Sequence, residues 1–278
     1  MGPAHRSVPT CFSCDDVVAD SAGRVHESGR GRLGQSLVTI VPNHLLVAVP
    51  AYNEEASIES VVNALRQEAP EFDLLVINDG ARDATPEILR RLGVPTARHY
   101  CNLGYGRAVQ TAIKYARRHG YMALVTFDGD GQHRATDLKR LRRAFEEGDY
   151  DLLIGSRFLQ LRQYGSSEPA RRLGMWLFSR LVALVTGQRI YDTSSGFRIF
   201  HRRAFDLLTE HPFVDFHAEA IVLLIRRGYK VGEEPIVANE RRAGSSMYGA
   251  LSALKYPLKT SLLVLLAYFG SGITDHKR

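Results

Sequence analysis

The chain alternates short apolar runs with segments in which apolar residues recur at helical spacing. Residues 45–49 are continuously apolar and predict a buried strand, and Ile58, Val61, Val62 and Leu65 then share one face of a helix. Further strands are predicted at 74–77, 122–127 and 151–154, and further helices at 86–92, 107–118, 136–145, 171–186 and 218–227. Strands separated by helices favour a parallel sheet, so we expect an α/β fold with a mainly parallel sheet flanked by helices.

Three regions of the chain differ in composition. Residues 1–43 are rich in Gly, Ser, Arg and His without a hydrophobic period, and we expect a disordered leader there. Its Cys11 and Cys14 have no second ligand pair nearby, which favours two plain thiols over a zinc site. We expect residues 44–248 to form the folded domain. We expect residues 249–278 to form an apolar, amphipathic helical tail whose run at 262–269 is too short to cross a bilayer but can lie in the bilayer surface or pack on the domain.

Composition and charge narrow the class of protein. Hydrophobic residues at 45% and charged residues at 24% exclude a disordered, collagen-like or multi-spanning membrane chain. The 36 Lys and Arg residues exceed the 30 Asp and Glu residues by six, which favours an anionic partner without saying which one. Three cysteines give no disulfide framework, and the sequence does not open on an apolar secretion signal, so we expect a cytoplasmic protein.

Polar residues cluster where the predicted strands end, which is where open parallel sheets bind ligands. The residues at these strand ends are Tyr52, Glu54, Asp79, Asp128, Asp130 and Arg157. The two carboxylates of Asp128-Gly129-Asp130 suit one hard cation and a phosphate, although a tight acidic turn has the same composition. The P-loop, nucleophile-elbow and H-E-x-x-H patterns are absent, and residues 102–106 lack the third glycine of a dinucleotide fingerprint. The interpretation that remains is a site that binds a nucleotide with the help of a metal ion.

Seven short motifs occur in an order that resembles the family 2 glycosyltransferases of GT-A fold, in the branch of the dolichyl/polyprenyl-phosphate mannose synthases. They are V-P-A-Y-N-E-E at 49–55, N-D-G with Asp83 and Thr85 at 78–85, N-L-G-Y-G at 102–106, D-G-D-G-Q-H at 128–133, G-S-R-F at 155–158, S-G-F-R at 195–198 and R-x-x-G-x-S at 241–246. The resemblance implies a GT-A, Rossmann-like domain that transfers a sugar.

The resemblance also implies roles for individual residues. The nucleotide sugar would be held by Pro50, Tyr52, Glu54, Asp79, Asp128, Gly129, Arg241 and Ser246, and Mg²⁺ or Mn²⁺ by Asp128, Asp130 and Gln132. Arg157 would bind phosphate as part of the catalytic set with Asp130. The acceptor phosphate would meet Arg171, Arg172, Ser195 and Arg198, because guanidinium groups pair well with phosphate.

The chain departs from the family pattern at three positions. Asn78 stands where the family has an acidic residue, Ala81 replaces a usual Ser, and Met247 replaces the Lys that often closes the last motif. The long transmembrane helices of many relatives are also missing from the sequence. Membrane contact would then come from the tail or from a separate small membrane subunit.

The expected reaction is an inverting transfer of a sugar from a nucleotide diphosphate sugar to a polyprenyl phosphate at the cytoplasmic face of a membrane. A phosphate acceptor is already anionic and needs no strong base. A hydroxyl acceptor would need one, and Glu219 is the candidate, although a carboxylate at a helix start is also simply favourable there. A non-catalytic nucleotide-binding protein is the remaining alternative. No nucleic-acid partner is expected, and a homo-oligomer is left open.

Overall fold

The computed structural model describes residues 44–159, 169–211 and 216–237. Its strands are β1 Leu45–Ala51, β2 Asp73–Asn78, β3 Thr96–Arg98, β4 Ala123–Thr126, β5 Leu152–Ser156, β6 Arg198–His201 and β7 Val231–Pro235. Its helices are α1 Ile58–Glu68, α2 Thr85–Leu92, α3 Tyr105–Arg118, α4 Asp137–Gly148, α5 Pro169–Thr186, α6 Phe205–Glu210 and α7 Ala218–Arg226, and a short 3₁₀ turn at Arg202–Ala204 precedes α6.

The strands form one seven-stranded sheet in the order β3-β2-β1-β4-β6-β5-β7. Neighbouring strands run parallel except at β6, which is antiparallel to both β4 and β5. Strands β1, β2 and β4 therefore end at the same edge of the sheet. The segment that enters β6 reaches this edge from the opposite direction, which brings residues 192–197 to the same place as the strand ends.

The two faces of the sheet are covered by separate sets of helices. Alternate β1 residues point to opposite sides. Leu46 belongs to an apolar cluster that includes residues of α3, α6 and α7, and Val47 belongs to a second cluster that includes residues of α1, α2 and α4. Helix α1 buries the four apolar residues that the sequence pattern placed on one face. The polar strand ends are thus held on a layered core that is buried on both sides.

The predicted α/β architecture is confirmed, and the first strands and helices are found within a few residues of their predicted bounds. Strands β3, β6 and β7 and helix α6 were missed. The segment at 192–197, which is rich in polar residues, leads directly into β6. A four-residue strand that is buried between two neighbours is too short for a hydrophobic period to reveal it.

The predicted leader at 1–43 and the tail at 249–278, with Cys11 and Cys14, lie outside the described residues. Among the helices that the structure describes, none is both long enough and apolar enough to cross a membrane.

Candidate active site

Three adjacent parallel strands deliver polar side chains to one edge of the sheet. Tyr52 and Glu54 follow β1, Asp79 follows β2, and the Asp128–Asp130 turn follows β4, which pairs with β1. The carboxyl ends of parallel strands meet there by construction, and the helix that follows each strand leaves the edge open. The structure therefore brings together the strand-end residues that the sequence singled out.

The loops after β1 and β2 are joined by reciprocal hydrogen bonds. Asn53 Oδ1 accepts from the Arg82 N–H at 2.9 Å, and Glu55 Oε2 accepts from the Ala84 N–H at 2.9 Å. In return, Asp83 Oδ2 accepts from the Glu55 N–H at 3.0 Å. These side chains explain why the motifs at 49–55 and 78–85 are rich in Asn, Asp and Glu, since they satisfy backbone groups of the opposite loop.

Asp79 fixes a third loop. Its carboxylate is buried, and its Oδ1 accepts from the Leu103 N–H at 2.9 Å while Oδ2 accepts from the Gly104 N–H at 2.8 Å. His99 Nδ1 lies 2.6 Å from the same Oδ1, and His99 Nε2 lies 2.9 Å from Thr111 Oγ1. Both oxygens of Asp79 thus accept hydrogen bonds from the protein itself. Asp79 fixes the position of the loop at 102–104 beside the end of β2.

Gly80 allows this loop to approach the end of β2. It has a φ of +69°, and a Cβ at this position would overlap the backbone of Cys101. Only glycine combines a left-handed backbone with such close contact. The glycine of the N-D-G motif is therefore required by packing.

The acidic turn after β4 presents two carboxylates of different surroundings. Asp128 Oδ2 lies 3.0 Å from Nε2 of the buried His133, and Asp130 Oδ1 accepts from the Gln132 N–H at 3.0 Å. Ser57 Oγ lies 2.7 Å from the Gly129 carbonyl oxygen, which ties the turn to the start of α1. Asp128 keeps 30% of its side chain exposed, so a ligand can reach it.

Asp128 is held in its charged form. Burial raises its pKa, but the hydrogen bond and charge of His133, together with the charges of Arg157 and His217, outweigh burial and leave the pKa below its ordinary value. An ionised carboxylate is what a hard cation binds.

The residues present fit a divalent cation such as Mg²⁺ or Mn²⁺. In the part of the chain that the structure describes, no group of three or more His, Cys, Asp and Glu side chains is arranged to enclose a metal. Mg²⁺ in nucleotide sites is commonly held by one or two carboxylates together with phosphate oxygens of the substrate. Asp128 and Asp130 would supply that share of the ligands, and the remainder would come from a diphosphate.

Arg157, which follows β5, is clamped beside the acidic turn. Its Nε and Nη2 donate to Asp192 at 2.8 and 2.9 Å, and Nη2 also lies 2.9 Å from Ser194 Oγ. Burial alone would lower the pKa of Arg157. The negative charges of Asp192, Asp128 and Asp130 outweigh burial, so the pKa lies above its ordinary value. The guanidinium therefore places a permanent positive charge next to the two carboxylates.

Sequence reasoning missed two residues of the site, Tyr105 and His217. Their rings stack with centroids 5.2 Å apart and an interplanar angle of 16°. Burial and then the charge of Asp128 raise the pKa of Tyr105 far above its ordinary value, so its hydroxyl stays protonated. Tyr105 lies in the N-L-G-Y-G motif and His217 two residues before Glu219, and only the fold shows that they face the acidic turn.

Arg198, a predicted acceptor residue, and Glu219, the candidate base, make hydrogen bonds to backbone groups in the structure. Arg198 is 2% exposed, and its guanidinium donates to the carbonyl oxygens of Thr193, Ser195 and Phe216. Glu219 is buried, with Oε1 accepting from the Phe216 N–H at 2.7 Å and Oε2 from the His217 N–H at 3.2 Å.

Together, Arg198 and Glu219 hold a turn in which Phe216 adopts a φ of +61°. Ser195 is fully buried at the entry to β6, where its Oγ lies 3.3 Å from the Phe197 nitrogen. The roles predicted for these residues in acceptor binding and base catalysis stay predictions, and the contacts in the structure are structural ones.

Of the remaining predicted residues, four have side chains outside the described part of the structure, and the fifth, Pro50, lies beside the acidic turn. Arg241 and Ser246 lie outside the described residues, and Arg171 and Arg172 fall within α5 at positions whose side chains are not described. Pro50 belongs to the end of β1, and its carbonyl faces Gly129 of the acidic turn.

Comparison with known proteins assigns the fold. A crystal structure of glucosyl-3-phosphoglycerate synthase from Mycobacterium tuberculosis, in complex with Mn²⁺, UDP and glucosyl-3-phosphoglycerate, aligns with a TM-score of 0.61 and 18% identity. The alignment covers 87% of each chain. The predicted GT-A fold is thereby confirmed.

Two curated relatives are similar in sequence. The polyprenol monophosphomannose synthase of Mycolicibacterium smegmatis is 29% identical over 234 residues, covering 77% of this chain and 84% of the relative. The UDP-N-acetylglucosamine–dolichyl-phosphate N-acetylglucosaminyltransferase of Methanococcus voltae is 27% identical over 212 residues, covering 69% of this chain and 84% of the relative.

The family profile named "Glycosyl transferase family 2" matches residues 46–208. This span runs from β1 into α6 and includes the acidic turn, Arg157 and Asp192. The chain therefore belongs to glycosyltransferase family 2, in the GT-A fold, and its relatives include sugar transferases that act on polyprenyl phosphates.

Proposed function

We propose that this enzyme transfers a sugar, with inversion, from a GDP- or UDP-sugar to a polyprenyl phosphate in a reaction that depends on Mg²⁺ or Mn²⁺. The observation that carries the proposal is the acidic turn Asp128–Asp130 with the clamped Arg157 beside it, at the carboxyl edge of the sheet. Carboxylates for a cation next to a guanidinium for phosphate are the groups that a leaving nucleoside diphosphate needs.

The donor would lie across the strand ends, with the nucleoside near Pro50, Tyr52, Glu54 and Asp79 and the diphosphate at the acidic turn. Tyr52 is exposed at 37% at the end of β1, where an aromatic ring can stack on a base. Gly129 lets the turn pass close to the Pro50 carbonyl. Arg241 and Ser246 would complete the grip on the diphosphate.

The cation would be held by Asp128 and Asp130, with Gln132 adjacent. When bound, the ion would neutralise negative charge that develops on the departing diphosphate. The protein's own residues support this task, because His133 and Arg157 keep Asp128 ionised, and Arg157 adds a second positive charge where phosphate oxygens gather.

A phosphate acceptor suits the arrangement of Glu219 better than a hydroxyl acceptor does. Both carboxylate oxygens of Glu219 accept backbone N–H groups, and the side chain is 4% exposed. A general base must reach the proton that it removes. A phosphate monoester is largely ionised at neutral pH and attacks without such a base.

A polyprenyl acceptor places the enzyme at a membrane surface, and we propose a peripheral position at the cytoplasmic face. Helix α5 exposes Trp176, Leu177 and Leu184, with Leu184 82% exposed. Exposed apolar side chains of this size favour contact with another apolar phase. The tail at 249–278, a small membrane subunit or a second copy of the chain would strengthen this attachment.

The proposal is tested by incubating the purified protein with GDP- and UDP-sugars and a polyprenyl phosphate, with and without Mn²⁺. We expect a glycolipid, detected by mass spectrometry, that is lost in Asp130→Ala and retained in Asp206→Ala, which removes an exposed carboxylate paired with Arg117 on the enzyme surface. Metal-dependent nucleotide release without a lipid product would reject the phosphate acceptor and favour a hydroxyl. Binding of a nucleotide sugar without formation of any product would reject the proposed transfer reaction.

A further inference from the structure

Arg157 is oriented by two linked carboxylates, the buried Asp192 and the half-buried Glu233, which belong to none of the sequence motifs. We propose that Asp192 and Glu233 are positioning residues: Glu233 on β7 fixes the segment that carries Asp192, and Asp192 holds the Arg157 guanidinium toward the donor diphosphate. This inference rests on the proposed function, since it assumes that the diphosphate lies at the acidic turn.

Asp192 contacts both the backbone and the side chain of Arg157. Asp192 Oδ2 accepts from both the backbone N–H and Nε of Arg157, at 3.0 and 2.8 Å, and Oδ1 accepts from Nη2 at 2.9 Å. Asp192 is fully buried. Three bonds from one carboxylate fix both the backbone and the plane of the guanidinium, so the side chain has a single orientation.

Glu233 contacts the backbone of the segment that carries Asp192, before β6. Glu233 Oε1 accepts from the Asp192 N–H at 2.8 Å, and Oε2 accepts from the Tyr191 N–H at 2.8 Å. Glu233 itself is fixed by the sheet, because it pairs with Ile154 across the parallel ladder of β5 and β7. The loop that holds Asp192 is therefore anchored to the strand beside the one that leads to Arg157.

Arg157 lies within the electrostatic reach of the two carboxylates where the donor diphosphate is proposed to bind. The charges of Asp128 and Asp130 act on Arg157, and the charge of Arg157 acts on Asp128. A buried ion pair such as Asp192 with Arg157 is a poor way to gain stability, because desolvation of the charges offsets their attraction. It is a good way to hold one charged group at a fixed place in a site.

The chain offers a matched control at the opposite end of β5. Asp151 precedes β5, is buried, and accepts from Arg203 Nε at 2.6 Å and from the Lys230 N–H at 2.8 Å. Like Asp192, Asp151 accepts hydrogen bonds from an arginine side chain and from a backbone N–H, both outside its own segment. Because it lies at the other edge of the sheet, its loss should affect stability without affecting the donor.

The test is calorimetric binding of Mn²⁺ with UDP and of Mn²⁺ with GDP, which requires no acceptor. For whichever nucleotide binds the unmodified enzyme, we expect Asp192→Asn to weaken binding about tenfold and Glu233→Gln to weaken it less, as outer groups of a site commonly do. Asp151→Asn should change the dissociation constant less than about twofold, within the usual range for a distant site.

A double-mutant cycle separates positioning from general destabilisation. In an Arg157→Lys background, which keeps the cation but removes the planar fork, Asp192→Asn should add less than about a twofold loss. An equal loss in Asp192→Asn and Asp151→Asn, or a full additional loss in the Arg157→Lys background, would overturn the inference while leaving the donor site intact. No binding of either nucleotide to the unmodified enzyme would instead overturn the proposed function.

Discussion

Gly196 lies directly against the carboxylate of Asp128. A Cβ at position 196 would overlap both carboxylate oxygens, so the Asp128 side chain can lie where it does only because residue 196 has no side chain. The contact joins two segments that are far apart in sequence, the turn after β4 and the entry to β6. Thr126 Oγ1 strengthens it by donating to the Gly196 carbonyl oxygen at 2.7 Å.

We expect Gly196→Ala to reduce sugar transfer by about two orders of magnitude, because displacing a catalytic group by about 1 Å has a cost of that size. Steady-state kinetics at saturating Mn²⁺ measure the loss. The control is Gly187→Ala, where a Cβ meets no atom but the φ of +75° makes alanine unfavourable. It should lower stability by about 1 kcal/mol and leave kcat unchanged. Equal activity in the two variants would contradict the prediction.

Asp79→Asn should destabilise the protein by about 2 kcal/mol. Each Asp79 oxygen accepts a backbone N–H, and an amide nitrogen in place of one oxygen would leave a buried donor facing a donor. Urea unfolding followed by circular dichroism measures the change. Asp73→Asn, at an exposed carboxylate that starts β2, is the control and should stay within about 0.5 kcal/mol. An unchanged midpoint for Asp79→Asn would show that the loop at 102–104 is held by other contacts.

The stability of the protein should respond to pH through Glu233. Burial, together with the charge of Asp192, raises the pKa of Glu233 above its value in the unfolded chain, despite the hydrogen bonds that it accepts. The folded state thus binds this proton more tightly than the unfolded state does. Its contribution to stability is complete below about pH 4.3, the ordinary Glu pKa, and is lost as pH rises through the folded-state value.

The measurement is the difference in unfolding free energy between the unmodified protein and Glu233→Gln, followed from about pH 4 upward in urea. We expect the unmodified protein to lose stability relative to the variant as pH rises. Glu234→Gln, which removes the neighbouring carboxylate on β7, is the control for a simple change of net charge. A difference that is flat with pH for Glu233→Gln would refute the linkage.

His217→Gln should reduce kcat about tenfold with little change in stability. The charge of His217 helps to keep Asp128 ionised, and its ring packs on Tyr105 beside the acidic turn. Removing one positioned group that stabilises charge in an active site commonly costs at least this much in kcat. His119→Gln is a close control, because His119 stacks on Tyr115 with centroids 4.0 Å apart on the exposed end of α3. Its kcat should not change.

The sequence predicted the beginning of the fold well because that information is local. In α1, four apolar residues at helical spacing are buried, as the pattern required, and the continuous run at 45–49 lies in the central strand β1. The strand-end positions of Tyr52, Asp79 and Asp128 followed from this succession, since parallel strands share an edge. Beyond α4 the signals weakened, and β6 and β7 were missed because each is short and is defined by its neighbours.

The sequence by itself determined the α/β class, the family and the set of polar residues that gather at one edge of the sheet. The tertiary structure decided what those residues do there. It engaged both oxygens of Asp79 with a loop more than twenty residues away, turned Arg198 and Glu219 toward backbone groups, and paired Arg157 with Asp192 across 35 residues. The Arg157–Asp192 pair depends on the antiparallel insertion of β6, which brings the segment before β6 beside the end of β5. Long-range pairing of this kind leaves no period in the sequence for local reasoning to detect.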